Sequence, residues 1–186
     1  MKKKLLIIGS GGSIGQYIYN KLDKNKDLIF GIEKKNNLKK NIFSFKTILK
    51  KNISFDTIIH AAGINPTKFS KKSNIQIYNE NKIINNNFLK IIKKNKYNKI
   101  IFLSSFSVYK KNNYINENSE LENKNLYARS KIEFEQELLN LTNSIYILRL
   151  CSVVGLSAKN NWLNEIYNKV QYNKKVILFN KNNNFN

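Results

Sequence analysis

Cysteine occurs once in the 186 residues, at Cys151, so the chain can form no internal disulfide framework and no thiolate-based zinc site. Histidine also occurs once, at His60. That excludes a two-histidine metal site and makes any Ser/His/Asp triad depend on one side chain, so no metal is expected. A lone histidine in an apolar strand is more often structural than catalytic, and His60 is read that way. Arginine is confined to Arg129 and Arg149, although 33 Lys and Arg against 12 Asp and Glu give a formal net charge of +21. Groove and phosphate recognition draws on the forked guanidinium. The lysines are scattered among asparagines, isoleucines and tyrosines, as an A/T-rich coding bias would scatter them, so nucleic acid is not expected as a partner. Long apolar runs are missing too. Leu5 to Ile8 stops at Gly9, short of a signal-peptide core, and no stretch reaches transmembrane length. The chain is therefore expected to be soluble and cytoplasmic, with no membrane partner.

What is present suits one compact domain with little left over. A hydrophobic share of 41%, with 11 Phe and 10 Tyr spread along the chain, argues against a disordered polyelectrolyte. Short apolar runs alternate with longer amphipathic segments, the pattern of a parallel sheet covered by crossover helices. Strands are predicted at Lys4 to Ile8, Leu28 to Ile32, Asn41 to Phe45, Thr57 to His60, Lys99 to Leu103 and Ser144 to Leu150. Helices are predicted at Ser13 to Leu22, Thr47 to Lys51, Ser73 to Lys96 and Leu126 to Leu141. Beyond Leu150 the pattern predicts a loop through Gly155, a helix from Trp162 to Tyr172, a strand at Val176 to Phe179 and a frayed Asn-rich tail. The fold class is α/β, a doubly wound parallel sheet, and there is no internal repeat.

The first strand runs into Gly9-Ser10-Gly11-Gly12-Ser13-Ile14-Gly15 and then a helix. A Walker loop would need Gly at 14 and Lys at 15, and the spacing Gly-x-Gly-x-x-Gly fails at Ile14. Gly9-x-x-Gly12-x-x-Gly15 fits. A turn without Cβ atoms lets main chain approach a pyrophosphate, which then rests on the amides at the helix N-terminus. The expected contacts are Gly9, Gly11, Gly12, Ser13, Ile14 and Gly15. Glu33 closes the second strand about twenty residues later, where a carboxylate can accept the adenosine ribose hydroxyls and repel a 2′-phosphate. This favours NAD, although Lys34 and Lys35 follow and could pair with such a phosphate. Ala61, Ala62 and Gly63 end the fourth strand with side chains small enough to leave room for the cofactor. Tyr127 and Lys131 share a helix face at i, i+4, and follow a strand ending in Ser104-Ser105. A nearby ammonium stabilises phenolate, which would lower the tyrosine pKa and make it an acid/base near neutrality.

Together these residues resemble the extended short-chain dehydrogenase/reductase family, in its NAD-dependent sugar-nucleotide epimerase/dehydratase branch. The resemblance runs from Lys4 to about Phe179 and takes in Tyr78-x-x-Asn81, Ser104-Ser105-x-x-Val108-Tyr109, and Leu148-Arg149 followed by Val153-Val154-Gly155. It implies a Rossmann fold, with residues 1–155 as the NAD-binding domain and 156–186 as the start of a substrate-binding segment, incomplete relative to the family. It makes Tyr127 the acid/base, Lys131 the residue that lowers its pKa and holds nicotinamide ribose, and Ser105 the substrate hydrogen-bond partner. Asn81 is a weaker carry-over and would support the sheet and its neighbouring loop. Phe106-Ser107 stands where a 4,6-dehydratase has an Asp-Glu pair, which disfavours dehydration. Ser44 replaces an Asp near adenine, and Lys110 replaces a common Gly. Hydride transfer at a sugar carbon remains, as 4-epimerisation or keto-sugar reduction of a nucleotide sugar.

Family members continue well past this chain's end, so a rival reading is a catalytically silent NAD-binding module, marked by cofactor binding without turnover. A further rival, a basic nucleic-acid-binding protein, would be retained on heparin and bind duplex or single strands with a salt dependence. The resemblance also implies a homodimer through a four-helix interface. Ile77, Ile84, Phe88 and Ile91 on one helix, and Ile132, Leu138 and Leu139 on another, are its candidates, though such stripes equally suit the sheet.

Overall fold

The computed structural model describes residues 2–33, 41–66, 72–153 and 162–175. Two compact units are present, Met1–Cys151 and Ser152–Asn186. In the first, β1 (Lys3–Ile8), β2 (Asp27–Ile32), β3 (Ile42–Phe43), β4 (Phe55–His60), β5 (Tyr97–Ser105) and β6 (Ile145–Leu150) form one sheet in the order β3-β2-β1-β4-β5-β6. Every pairing is parallel. Parallel neighbours need crossovers: α1 (Ser13–Lys21), α3 (Asn74–Lys94) and α4 (Leu126–Leu141) lie between β1 and β2, β4 and β5, and β5 and β6, and α2 (Phe45–Lys50) joins β3 to β4 across the sheet. A parallel sheet of this order, with flanking helices, is a Rossmann-like α/β fold.

Alternate residues of each strand serve the two faces. Leu6, Ile8, Phe30, Ile32, Ile58, Ile100 and Phe102 join Phe88, Ile91, Phe134 and Leu138 of α3 and α4 in the larger core. Leu5, Ile7, Ile29 and Ile59 pack with Ile18, Tyr19 and Leu22 around α1 on the other face. Phe55, Phe88, Phe102 and Phe134 are fully buried, each contributing roughly 1.5–3 kcal/mol of apolar transfer. His60 lies inside this core. Its ring stacks on Phe88 at 4.4 Å and 12°, and Nε2 shares a 3.2 Å hydrogen bond with Asn85 Oδ1. Burial, with the Lys131 charge adding to it, pushes His60 down to about 3, so it stays a neutral core histidine.

Several boundaries differ from the sequence reading, each for a local reason. Ser44 caps α2, its Oγ accepting from the Thr47 amide at 3.2 Å, so the helix begins at Phe45 and β3 shrinks to Ile42–Phe43. Ser73 and Gln76 form a reciprocal capping box, which starts α3 at Asn74. Asn95 ends α3, its Nδ2 donating to Ile91 O and its Oδ1 accepting from Ile53 N. The strand β5 pairs with β6 as far as Ser105↔Leu150, which brings Ser105 to the sheet's carboxyl edge.

In the second unit, α5 (Trp162–Gln171) is described; Val154, Gly155, the strand expected at Val176 to Phe179 and the tail lie outside the described residues. Among the described residues no helix is long and apolar enough to cross a membrane.

Candidate active site

The carboxyl ends of parallel strands carry main-chain groups and loops without further sheet pairing, and here the candidate residues gather at the ends of β1, β2, β4 and β5. After β1, Gly9 adopts φ +86°, and a Cβ there would stand 2.7 Å from Ala62 Cα. The main chain after β4 can thus approach the turn only because Gly9 lacks a Cβ. A Cβ on Gly15 would lie 2.1 Å from Gly9 O, so α1 can approach the turn only with glycine there. The Gly12 amide closes the turn onto Gly9 O at 3.0 Å. Gly12 is also the helix N-cap and brings no side-chain oxygen to the first-turn amides of Ser13 and Ile14. The result is a shallow cradle of main chain at a helix N-terminus, which fits a pyrophosphate.

Glu33 reaches over this turn. Its Oε1 accepts from Ser10 Oγ at 3.4 Å, and its carboxyl carbon would sit 3.0 Å from a Cβ on Gly11. A carboxylate is therefore held beside the cradle, where a cofactor ribose would lie. Lys34 and Lys35 lie outside the described residues.

On β4, the Ala61 amide continues the ladder to Ile8 O at 2.9 Å, and Gly63 follows against Lys131, whose Nζ would be 3.4 Å from a Cβ there. Asn81 of α3 holds this segment from both ends of its amide: Oδ1 accepts from Ile64 N at 2.8 Å, and Nδ2 donates to Ile64 O at 3.0 Å. Its position is that of a support for the 61–64 segment.

Asn125 caps α4 through the Ala128 amide at 2.8 Å, and so fixes the first turn that carries Tyr127. At the end of β5, Ser105 lies close enough to the Tyr127 hydroxyl to act on its ionisation. Ser105 Oγ accepts from Ser107 N at 3.2 Å and pairs with Ser107 Oγ at 2.9 Å, at the head of a 3-10 helix, Phe106–Val108. One turn along α4, the buried Lys131 donates from Nζ to Leu103 O at 3.2 Å, 5.9 Å from the Tyr127 ring centroid. Burial pulls the Lys131 ammonium down to about 8, with the Glu135 carboxylate opposing. Tyr127 departs from the expectation that a nearby ammonium lowers it. Burial raises its pKa, with the Ser105 hydroxyl opposing.

Ser105, Tyr127 and Lys131 are thus brought together, with Gly63 beside them and the glycine turn two strands away across β4. The sequence reading missed Glu135, 1% exposed, whose carboxylate accepts from Ser104 Oγ and from the guanidinium of Arg149. Its only sequence signal is the i, i+4 spacing from Lys131. Among the residues expected to form a dimer face, Ile77, Phe88, Ile91, Ile132 and Leu138 are buried, Ile84 is half-buried and Leu139 is exposed. The stripes mainly serve the sheet.

Solved structures share this fold. UDP-N-acetylglucosamine 4-epimerase from Bacillus cereus superposes with a TM-score of 0.77 at 17% identity, covering 94% of this chain and 64% of its own. UDP-glucuronic acid 4-epimerase from Bacillus cereus, in complex with UDP-glucuronic acid and NAD, gives 0.78 at 20%, covering 95% and 65%. dTDP-4-dehydrorhamnose reductase from Bacillus anthracis str. Ames, in complex with NADP, gives 0.73 at 22%, covering 95% and 62%. The chain therefore spans less than two thirds of each of these proteins. No curated protein sequence matches it significantly. The model of the NAD dependent epimerase/dehydratase family matches residues 5–184, which takes in the described strands from Leu5 of β1 onward, the glycine turn and the Tyr127–Lys131 helix. By that match the chain belongs to the NAD dependent epimerase/dehydratase family.

Proposed function

We propose that the chain binds NAD across the Gly9–Gly15 turn and carries out hydride-transfer chemistry on a nucleotide-linked sugar, as a 4-epimerase or a keto-sugar reductase, with Tyr127 as proton carrier. The observation that carries this is that Tyr127 and Lys131 share one face of α4, Lys131 Nζ lying 5.9 Å from the Tyr127 ring centroid and donating to Leu103 O near the Ser105 end of β5, at the sheet edge that also presents the glycine cradle. NAD, when bound, supplies the hydride acceptor and donor. The chain's own residues handle the proton and the position of the sugar. A tyrosine raised by burial is protonated near neutrality, so Tyr127 is prepared to donate to a keto oxygen. Keto reduction needs that donation, and so does the second half of an epimerisation. Ser105 holds the same oxygen by a hydrogen bond, and Lys131 is the candidate to hold the nicotinamide ribose. Glu33 beside the turn supports NAD over NADP, because a carboxylate accepts ribose hydroxyls and repels a phosphate. The 3-10 helix carries Phe106 and Ser107 and no carboxylate, which argues against water elimination there.

Residues 1–155 would form the NAD domain and 156–186 the start of a substrate segment. A homodimer through α3 and α4 belongs to the same proposal, with exposed Ile75, Ile83 and Leu139 as its apolar contacts. The assay below also bears on a second reading, a silent NAD-binding module.

A coupled assay on a panel of nucleotide sugars and their keto derivatives separates the two. Turnover abolished in Tyr127→Phe supports the enzyme; NAD binding without turnover on any of them supports the silent module.

A further inference from the structure

The most heavily bonded side-chain cluster outside the proposed catalytic trio centres on a buried carboxylate. Glu135 lies one helical turn past Lys131 on α4, as Lys131 lies one turn past Tyr127, so the three share a face. Its partners come from the two last strands. Ser104 and Arg149 are register neighbours across β5 and β6, and both reach the same carboxylate. Ser104 Oγ donates to Oε1. The Arg149 guanidinium lies along both oxygens, with Nη2 to Oε2 at 2.7 Å, Nε to Oε2 at 3.1 Å and Nε to Oε1 at 3.3 Å. Arg149 Nη1 also donates to Tyr109 OH at 3.1 Å and to Glu117 O at 3.0 Å, and its plane covers the Tyr109 ring at 4.9 Å. One ion pair therefore ties together α4, the end of β5 next to Ser105, the exit of the 3-10 helix and the loop that follows.

Such a pair is a weak means of gaining stability, because desolvating two charges offsets most of their attraction. What it does well is fix geometry and field. The groups facing Lys131 are Tyr127 and Glu135 from α4, the Leu103 carbonyl and Phe102 ring from β5, neutral His60 from β4, and Gly63 in the segment held by Asn81 of α3. Within that set Glu135 is the counter-charge.

We infer that the Glu135–Arg149 pair is the positioning element of the Tyr127–Lys131 site: Glu135 is the carboxylate on the Lys131 face of α4, and Ser104 and Arg149 hold that face against the Ser105 end of β5. Arg149 shares the carboxylate and so limits how strongly it holds the ammonium. Neither residue touches substrate. This inference rests on the roles proposed above for Tyr127 and Lys131, and is tested by a measurement that needs no turnover.

The two partners act on Lys131 with opposite sign, which a simple structural staple does not. In the full chain labelled with 15N-lysine, the Lys131 Nζ titration, assigned from its absence in Lys131→Met, is followed in four variants. Glu135→Gln should lower the midpoint by about one unit or more, and Arg149→Met should raise it, because the carboxylate then serves Lys131 alone. Arg149→Lys keeps the charge and should stay within about 0.3 unit of wild type. The double variant Glu135→Gln/Arg149→Met removes both members of the ion pair together, so neither is left without its partner; it should fold even where a single variant does not, and it should still show the lowered midpoint. Midpoints that move the same way in Glu135→Gln and Arg149→Met, or a double variant that titrates like wild type, overturn the inference. NAD titration of the same samples keeps the questions apart: wild type that fails to bind NAD removes the functional proposal and leaves the Lys131 result standing.

Discussion

The glycine turn after β1 and the Tyr127–Lys131 face of α4 open on the same edge of one sheet, yet opposite means hold them in place. The turn depends on side chains that are missing: Gly9 and Gly15 have no Cβ because Ala62 and the Gly9 carbonyl occupy that space, and Gly12 leaves the helix start without a side-chain cap. The α4 face depends on side chains buried at some cost, an ammonium and a carboxylate kept from water and engaged with Leu103 O, Ser104 and Arg149. A site made of main chain tolerates no added atom. A site made of buried charge tolerates shape changes better than changes of charge.

Breaking the turn should have the largest effect. Gly15→Val forces atoms into the Gly9 carbonyl, where even a Cβ would stand at 2.1 Å, so NAD binding should fall below detection by calorimetry, with a loss of roughly 1–3 kcal/mol or more in urea unfolding. Retained NAD affinity would show that the turn is not the cradle. Next comes Tyr127→Phe, which keeps the ring and removes the proton: turnover should drop by about 10² or more with NAD affinity changed less than about twofold. Lys131→Met should harm both readouts, and that contrast separates proton carrier from cation.

A pH series sharpens the same comparison inside the core. His60 is neutral in the folded chain down to about 3, against 6.5 for an ordinary histidine, so the unfolded chain binds a proton across that window that the folded one does not. The His60 contribution to stability should therefore be fully present above about 6.5 and be lost at up to about 1.4 kcal/mol per pH unit below it. Urea midpoints in His60→Phe should lose that part of the slope between pH 6.5 and 4.5, and an unchanged slope would assign the acid sensitivity elsewhere. The smallest effect is cofactor choice: Glu33→Ala should reduce a preference for NAD over NADP of roughly tenfold to near parity.

The two regions also differed in how far the sequence announced them. Four glycines within seven residues between a strand and a helix have few uses, and Ala61-Ala62 is as local a signal, so the turn could be read directly. Tyr127 and Lys131 needed their place after a strand ending in serine, since a chain rich in both residue types repeats that spacing by chance. Glu135 and Arg149 could not be paired from the sequence: they meet only because β5 and β6 set Ser104 beside Arg149 and α4 crosses both. The raised Tyr127 follows the same rule, since its burial is a tertiary fact. Capping likewise outweighed periodicity at Ser44, where a strand reading gave way to a helix start.

The most direct test of the account is a calorimetric titration of the full chain with NAD, after any copurifying small molecules have been identified by mass spectrometry and removed. The account predicts saturable binding of one NAD per chain, abolished in Gly15→Val and nearly unchanged in Tyr127→Phe. No binding at millimolar NAD by a folded wild-type chain, or binding that survives Gly15→Val, would contradict it.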